Sequence, residues 1–464
     1  MLLDGATVAS AETLEVTSPY DGALVGTVAG DGPEEVDRAV RAVARHGRQL
    51  DPEQRAAVLR EASRLLALRV DEFATLITRE SGVCVRETRK EVARAGANLS
   101  VAAEEALRLR GESLDLAVGG KRRVALTLHE PVGVVAAFTP FNRPLNQVVV
   151  KVAPAVAAGN AVVLKPSEKT PLTALALVSL LIEAGLPAEL IAVVTGRPER
   201  IGPTLAGHEL VDLVTFTGGT ATGQLVARQA AGKKVVLELG GNDPLIVLDD
   251  ADLDVAVRLA ADGAYATAGQ SCRGVKRVLV AEPVAAEFAA LLATATKTKR
   301  YGDPLDPETD VGPLISAQAA EEVSRRCAEA VESGARVLTG GERSGALLAP
   351  IALDHVPPDA RLVVEETFGP VAPIIRVRDA AHAAEVANST PYGLQAGVVT
   401  GRTEDFLLLA QQLRVGAVNL MEGPTFDSPH LPFGGVKASG IGREGIRYSM
   451  REMSTVKTLT MPLR

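Results

Sequence analysis

The chain has 464 residues, is 47% hydrophobic and 23% charged, and carries a formal net charge of −8. That length exceeds one small core and predicts two or three domains. The negative charge argues against a general nucleic-acid role, and a chain without tryptophan and with few aromatic residues offers no base-stacking platform. The three cysteines, Cys84, Cys272 and Cys327, lack framework spacing and suggest a reducing compartment. The first residues have no basic segment ahead of an apolar one, and no apolar run reaches membrane-spanning length. The cytoplasm is the expected location, with no membrane partner and no metal site.

Along the chain, strands and helices alternate. Residues 33–110 read as helical, with Ala, Leu and Val recurring among Glu and Arg. Gly119-Gly120 marks a turn, and 121–129 alternates as a half-exposed strand does. Residues 132–138 are a continuous apolar run, suited to a strand buried on both faces. Strand 162–166 leads to a helix from Thr170-Pro171 to Glu183, bounded by Pro at its start and Gly and Pro after its end. Strand 191–194, helix 198–206, strand 213–216, helix 221–231 and strand 234–239 follow. This alternation predicts an α/β fold with a parallel, doubly wound sheet, whose ligands lie beyond the carboxyl ends of the strands. Lys165, Ser167, Glu168, Gly218, Gly219 and Glu238 all fall there. A second strand-helix region runs from about 244 to 434. Residues 281–297 and 317–334 read as helices, and 337–338, 362–364 and 371–377 as extended. The alternating stretch 454–461 reads as an exposed strand that needs an edge, which a neighbouring subunit would provide.

Cys272 stands apart from the other two cysteines. It lies in Gly269-Gln270-Ser271-Cys272-Arg273-Gly274, among small polar residues and beside a cation, whereas Cys84 and Cys327 read as small buried hydrophobes. A thiol attacks as its thiolate, and Arg273 is predicted to lower the Cys272 pKa. Phosphate motifs are sparse. Gly440-Ile441-Gly442-Arg443-Glu444-Gly445 matches G-x-G-x-x-G but has no strand before it, so it reads as a loop. Phe216-Thr217-Gly218-Gly219-Thr220 opens a helix with small residues, where a pyrophosphate can approach the N-terminus. Glu168, at the preceding strand end, is placed to accept hydrogen bonds from ribose hydroxyls.

Seven segments in order carry a resemblance: Thr139-Pro140-Phe141-Asn142, Lys165-Pro166-Ser167-Glu168, Phe216-Thr217-Gly218-Gly219, Leu237-Glu238-Leu239-Gly240-Gly241, Gly269-Gln270-Ser271-Cys272, Glu366-Thr367-Phe368-Gly369-Pro370 and 432–440. On these the chain resembles the NAD(P)-dependent aldehyde dehydrogenase superfamily over essentially its whole length. The resemblance implies a Rossmann-like cofactor domain (1–118 and 132–240), a second α/β catalytic domain (241–435) and a β-strand oligomerisation arm with the C-terminal tail (119–131 and 436–464). It implies that Cys272 attacks the aldehyde carbon, Asn142 and the Cys272 backbone N–H hold the oxyanion, and Glu238 activates the water that hydrolyses the thioester. Cofactor contacts would come from Thr139, Pro140, Lys165, Ser167, Glu168, Gly218, Gly219 and Leu239, with Glu366 on the nicotinamide ribose and Phe368 near the nicotinamide. NAD is expected, because the Glu168 carboxylate repels a 2′-phosphate; NADP is the alternative if Lys165 or Lys169 reaches the same oxygen. A homodimer or homotetramer is expected.

The departures are informative. The family's usual tryptophan before the asparagine is Phe141, the residue after it is Arg143, and the residue after the nucleophile is Arg273. Two buried like charges are costly unless an anion or a structural carboxylate neutralises them. Within the superfamily the chain is most similar to the phosphonoacetaldehyde and lactaldehyde dehydrogenase group, although the phosphonate-specific members carry arginine where Ser271 stands. The substrate expectation is a short aldehyde with a phosphonate or phosphate tail, bound by Arg143, Arg273 and Ser271. Lactaldehyde, a carboxylated semialdehyde and sulfoacetaldehyde are alternatives. A coenzyme-A-acylating member and a non-catalytic protein on the same fold are two further classes, against which Glu238 and the Cys272–Asn142–Glu238 set respectively argue.

Overall fold

The computed structural model describes residues 1–45 and 50–463. Its largest sheet has eight strands. At its centre Val134–Phe138 pairs in parallel with Ala161–Lys165 on one side and Leu213–Thr217 on the other. Ile191–Val193 and Lys234–Glu238 extend the two flanks in parallel. All five residues of Val134–Phe138 are buried, because helices cover both faces. At roughly 1.5–3 kcal/mol for each large apolar side chain removed from water, such strands anchor the core. The strand order reverses between Val134–Phe138 and Leu213–Thr217. A cleft opens beyond the carboxyl ends of such a pair, so the loops at Thr139–Asn142 and Gly218–Gly219 border it.

The parallel sheet is mixed at its edges. Leu2–Leu3 and Ala6–Thr7 close one side antiparallel, and Gly440–Ile441 closes the other beside Leu237 and Glu238. The G-x-G-x-x-G segment is therefore partly strand rather than wholly loop, and it backs the Glu238 strand. A second sheet of seven strands centres on Arg277–Ala281, which pairs in parallel with Pro244–Val247 and Val371–Val377. The extended reading of 362–364 is corrected: Arg361–Val364 is a short helix. Ala360 O accepts from both Val363 N and Val364 N, and Arg361 pairs with Glu365 one turn on at 3.1 Å, so local bonds override the β-branched run.

A third sheet stands apart. Lys121–Pro131 lies between Ser113–Val118 and Ser454–Pro462, antiparallel to both. The strand Ser113–Val118, read above as part of segment 1–118, pairs within this third sheet, because Gly119-Gly120 closes a two-residue hairpin with Val118 opposite Lys121. Both glycines have positive φ, 58° and 74°, as such a tight turn demands. No helix among the described residues is long and apolar enough to cross a membrane.

Candidate active site

The loop that carries Cys272 is held in an unusual backbone. Thr267, Ala268 and Gly269, just before it, are all left-handed, with φ of 53°, 53° and 68°. Non-glycine residues in that region persist only where the surroundings over-determine them, and they cluster at functional sites. Here Gln270 N bonds back to Thr267 O at 3.1 Å, and Lys276 Nζ donates to Gly269 O and to Thr367 O, the latter at 3.0 Å. Lys276 thus ties the Cys272 loop to the Glu366–Phe368 loop, and its ammonium lies 4.8 Å from the Phe368 ring centroid. Burial pushes its pKa down to about 8, with Glu366 opposing. Gly241 abuts the same loop: a Cβ there would lie 2.0 Å from the Cys272 carbonyl oxygen, so the double glycine lets the two backbones meet.

Cys272 is partly exposed, whereas Cys84 and Cys327 are buried. It opens into an inner chamber of about 280 Å³ shared with Pro140, Phe141, Asn142, Gly218, Gly219, Leu239, Glu366 and Phe368. The Phe141 and Phe368 rings meet edge to face at 6.1 Å, so the smaller aromatic still packs against the chamber's other ring. Asn142 Nδ2 donates to Gln270 O at 2.8 Å, which fixes the amide and leaves its second N–H for a substrate oxygen. The expected low thiol pKa is corrected. Burial pushes Cys272 up to about 12; Arg273 acts in the expected direction but does not win, and Glu366 and Glu238 add to the rise.

Glu238 is sealed at 2% exposure, and neither carboxylate oxygen has a hydrogen-bond partner among the described residues. Burial first, then the charge of Glu444, raises its pKa well above the ordinary value; Lys151 and Arg443 oppose. Lys151 is itself fully buried, paired with Glu444 and donating to Thr215 at 3.0 Å. This Lys151–Glu444 pair is absent from the sequence reading.

A second groove, about 510 Å³, continues from the chamber and is lined by Thr139, Pro140, Lys165, Ser167, Glu168, Gly218 and Gly219 among others. Gly219 caps the helix Thr220–Gln229. Lys165 is buried, donates to Pro166 O at 2.9 Å and stands 3.8 Å from Glu168, whose carboxylate is 31% exposed. Helix N-terminus and small residues at one end, with carboxylate and ammonium at the other, fit a dinucleotide. Glu366, in the chamber lining, accepts from Gly241 N at 3.2 Å.

On the far side of Cys272 a vestibule of about 310 Å³ is lined by Asn142, Arg143, Ser271 and Arg273, and also by Lys90 and Arg94. The two arginines are not bare. Arg143 Nη1 stands 3.9 Å from Glu91 Oε2, too far for a hydrogen bond, while Glu91 Oε1 accepts from Leu145 N and Asn146 N. Arg273 Nη1 lies 3.1 Å from Asp427 Oδ2, yet it is buried without a hydrogen-bond partner among the described residues. Arg94 shares Asp427 at 3.4 Å, and its pKa is depressed by burial and by Arg273. Arg94 and Lys90 are missed by the sequence reading; their one signal is a basic pair four residues apart on the helix Val85–Ala106.

The chain matches the aldehyde dehydrogenase family over residues 7–459. It is 38% identical over 466 residues to a 3-sulfolactaldehyde dehydrogenase of Priestia aryabhattai, covering 100% of this chain and 98% of the relative. It is 36% identical over 468 residues to a lactaldehyde dehydrogenase of Methanococcus maripaludis, covering 99% of each. The structure resembles an NADP-dependent glyceraldehyde-3-phosphate dehydrogenase of Bacillus halodurans, solved with NADP, at a TM-score of 0.96 and 37% identity, covering 100% of this chain and 99% of that one.

Proposed function

The chain belongs to the aldehyde dehydrogenase family, and from that premise we propose that it oxidises a short aldehyde with an anionic tail to its acid. Cys272 Sγ adds to the aldehyde carbon, and the oxygen takes the free N–H of Asn142 and the Cys272 backbone N–H. The dinucleotide supplies the hydride acceptor. Thr139, Pro140, Lys165, Ser167, Glu168, Gly218, Gly219 and Leu239 hold it, Glu366 takes the ribose nearer the reacting end, and Phe368 packs beside that end. Hydride loss leaves a thioester on Cys272. Glu238 then takes a proton from water as it attacks. NAD is the expected cofactor; Lys165 beside Glu168 offsets the repulsion of a 2′-phosphate, so NADP is accepted too.

The observation that carries the tail is the vestibule: Arg94, Arg143 and Arg273 converge beside Cys272 with donors unspent. Guanidinium forks match phosphonate, phosphate and sulfonate oxygens. Losing one charge-assisted partner costs about 1.5–3 kcal/mol, roughly ten- to a hundredfold in affinity. Arg143→Leu and Arg273→Leu are each expected to lower the kcat/KM ratio of phosphonoacetaldehyde to propanal by that factor. A ratio unchanged in both variants removes the anionic-tail reading.

The arm supports assembly as a homodimer or homotetramer; the cytoplasm is the proposed location. Its outer strands have open edges, and Leu114, Leu116, Val118, Val456, Leu459 and Met461 are exposed. Deleting residues 454–464 is expected to lower the particle mass in light scattering; an undiminished mass places the interface elsewhere.

A further inference from the structure

Gln147 is the second residue of the helix Asn146–Ala157. With Cys272 it borders all three cavities that meet at the nucleophile: the inner chamber, the vestibule and a side slot of about 60 Å³ beneath Phe433. Its Oε1 is shielded and has no hydrogen-bond partner among the described residues. Other polar side chains of this helix are engaged. Asn146 Oδ1 accepts from Asn98 Nδ2 at 2.8 Å, and Lys151 donates to Thr215 and Glu444. A shielded amide oxygen left unpaired in a folded protein calls for an explanation, and beside a nucleophile the natural one is a ligand group.

The position says which group. The aldehyde carbon must lie in the chamber between Cys272 and Asn142, and the tail in the vestibule. Gln147 borders both, so it stands beside the carbon that joins them. A hydroxyl there can donate to an amide oxygen or accept from an amide nitrogen, so it pairs with Gln147 in either orientation of the side chain. We propose that Gln147 recognises a hydroxyl on the carbon next to the aldehyde, making the preferred substrate a 2-hydroxyaldehyde. The placement of the tail rests on the vestibule reading above; the hydroxyl contact does not need it.

Four aldehydes separate the two. Lactaldehyde and propanal differ by the hydroxyl without a charged tail; glyceraldehyde 3-phosphate and 3-oxopropyl phosphate differ by it with one. The full-length enzyme is expected to prefer the hydroxylated member of each pair in kcat/KM. In Gln147→Met, of similar size, that preference is expected to fall about tenfold in both pairs, the worth of one lost hydrogen bond. Each ratio is taken within one preparation, so loss of folded protein cancels. No hydroxyl preference in the unaltered enzyme, or a preference that Gln147→Met leaves unmoved, overturns the proposal. Failure of the tail reading shows differently, as equal kcat/KM for the phosphorylated and uncharged members while the hydroxyl ratio still responds.

Discussion

Cys272→Ala is expected to abolish aldehyde oxidation, lowering kcat/KM by more than about 10⁴-fold, while dinucleotide binding survives. Removing a covalent nucleophile acts on that scale, because the remaining groups work only on its adduct. Among the described residues no second cysteine and no lysine lines the inner chamber, so none of them can take over. The groove that fits the dinucleotide does not include Cys272, so nucleotide affinity, read by fluorescence titration, should stay near that of the unaltered enzyme. The thiol also sets a pH dependence. With its pKa pushed up to about 12 by burial, the thiolate is scarce at neutral pH and grows with each unit of alkalinity. Acylation by a saturating aldehyde should therefore speed up as pH rises, and so should labelling of Cys272 by iodoacetamide. Ordinary turnover in Cys272→Ala would end the assignment of the nucleophile.

The same residue marks where sequence stops being informative. Its surroundings of small polar residues separate Cys272 from Cys84 and Cys327 on the page, and the structure leaves it the least buried of the three. Its titration is another matter. A cation next in sequence is visible, but Asp427 on Arg273 and the packing around the sulfur come from distant segments. The strands of the large sheet were legible because buried apolar runs between Gly and Pro boundaries have few other readings. Much of the chamber and groove lining lies at strand ends, which those runs also locate. Lys90 and Arg94 were not legible, since charges on an amphipathic helix ordinarily face solvent; packing of Val85–Ala106 on Asn146–Ala157 turns them toward the vestibule. Lys151 and Glu444 lie 293 residues apart, and no local pattern joins them. The left-handed run at Thr267–Gly269 is likewise set by tertiary bonds from Lys276. What sequence shows here is the local chemistry of single groups; what it hides is their pairing.

Glu238→Gln is expected to separate the two halves of the reaction. The amide keeps the volume of the carboxylate but cannot take a proton from water. Hydride transfer should persist, seen as a burst of reduced dinucleotide approaching one equivalent per site. The following steady rate should fall by about 10²–10⁴-fold, the usual contribution of a general base. The unaltered enzyme should deacylate faster as pH rises, because Glu238 acts when ionised and its pKa is held well above 4.5 by burial and by Glu444. The variant should lose that part of the profile. Stability gives a second readout with a definite sign. A carboxylate whose folded pKa is raised binds its proton more tightly in the native state, so stability falls as pH climbs from the unfolded value toward the folded one. Glu238→Gln removes this loss, and its Tm should decline less over that interval than that of the unaltered enzyme. A missing burst with a normal Tm profile would place Glu238 in acylation instead. An unchanged steady rate would mean that another group activates the water, and Glu366, the carboxylate that lines the chamber, would be the next to test.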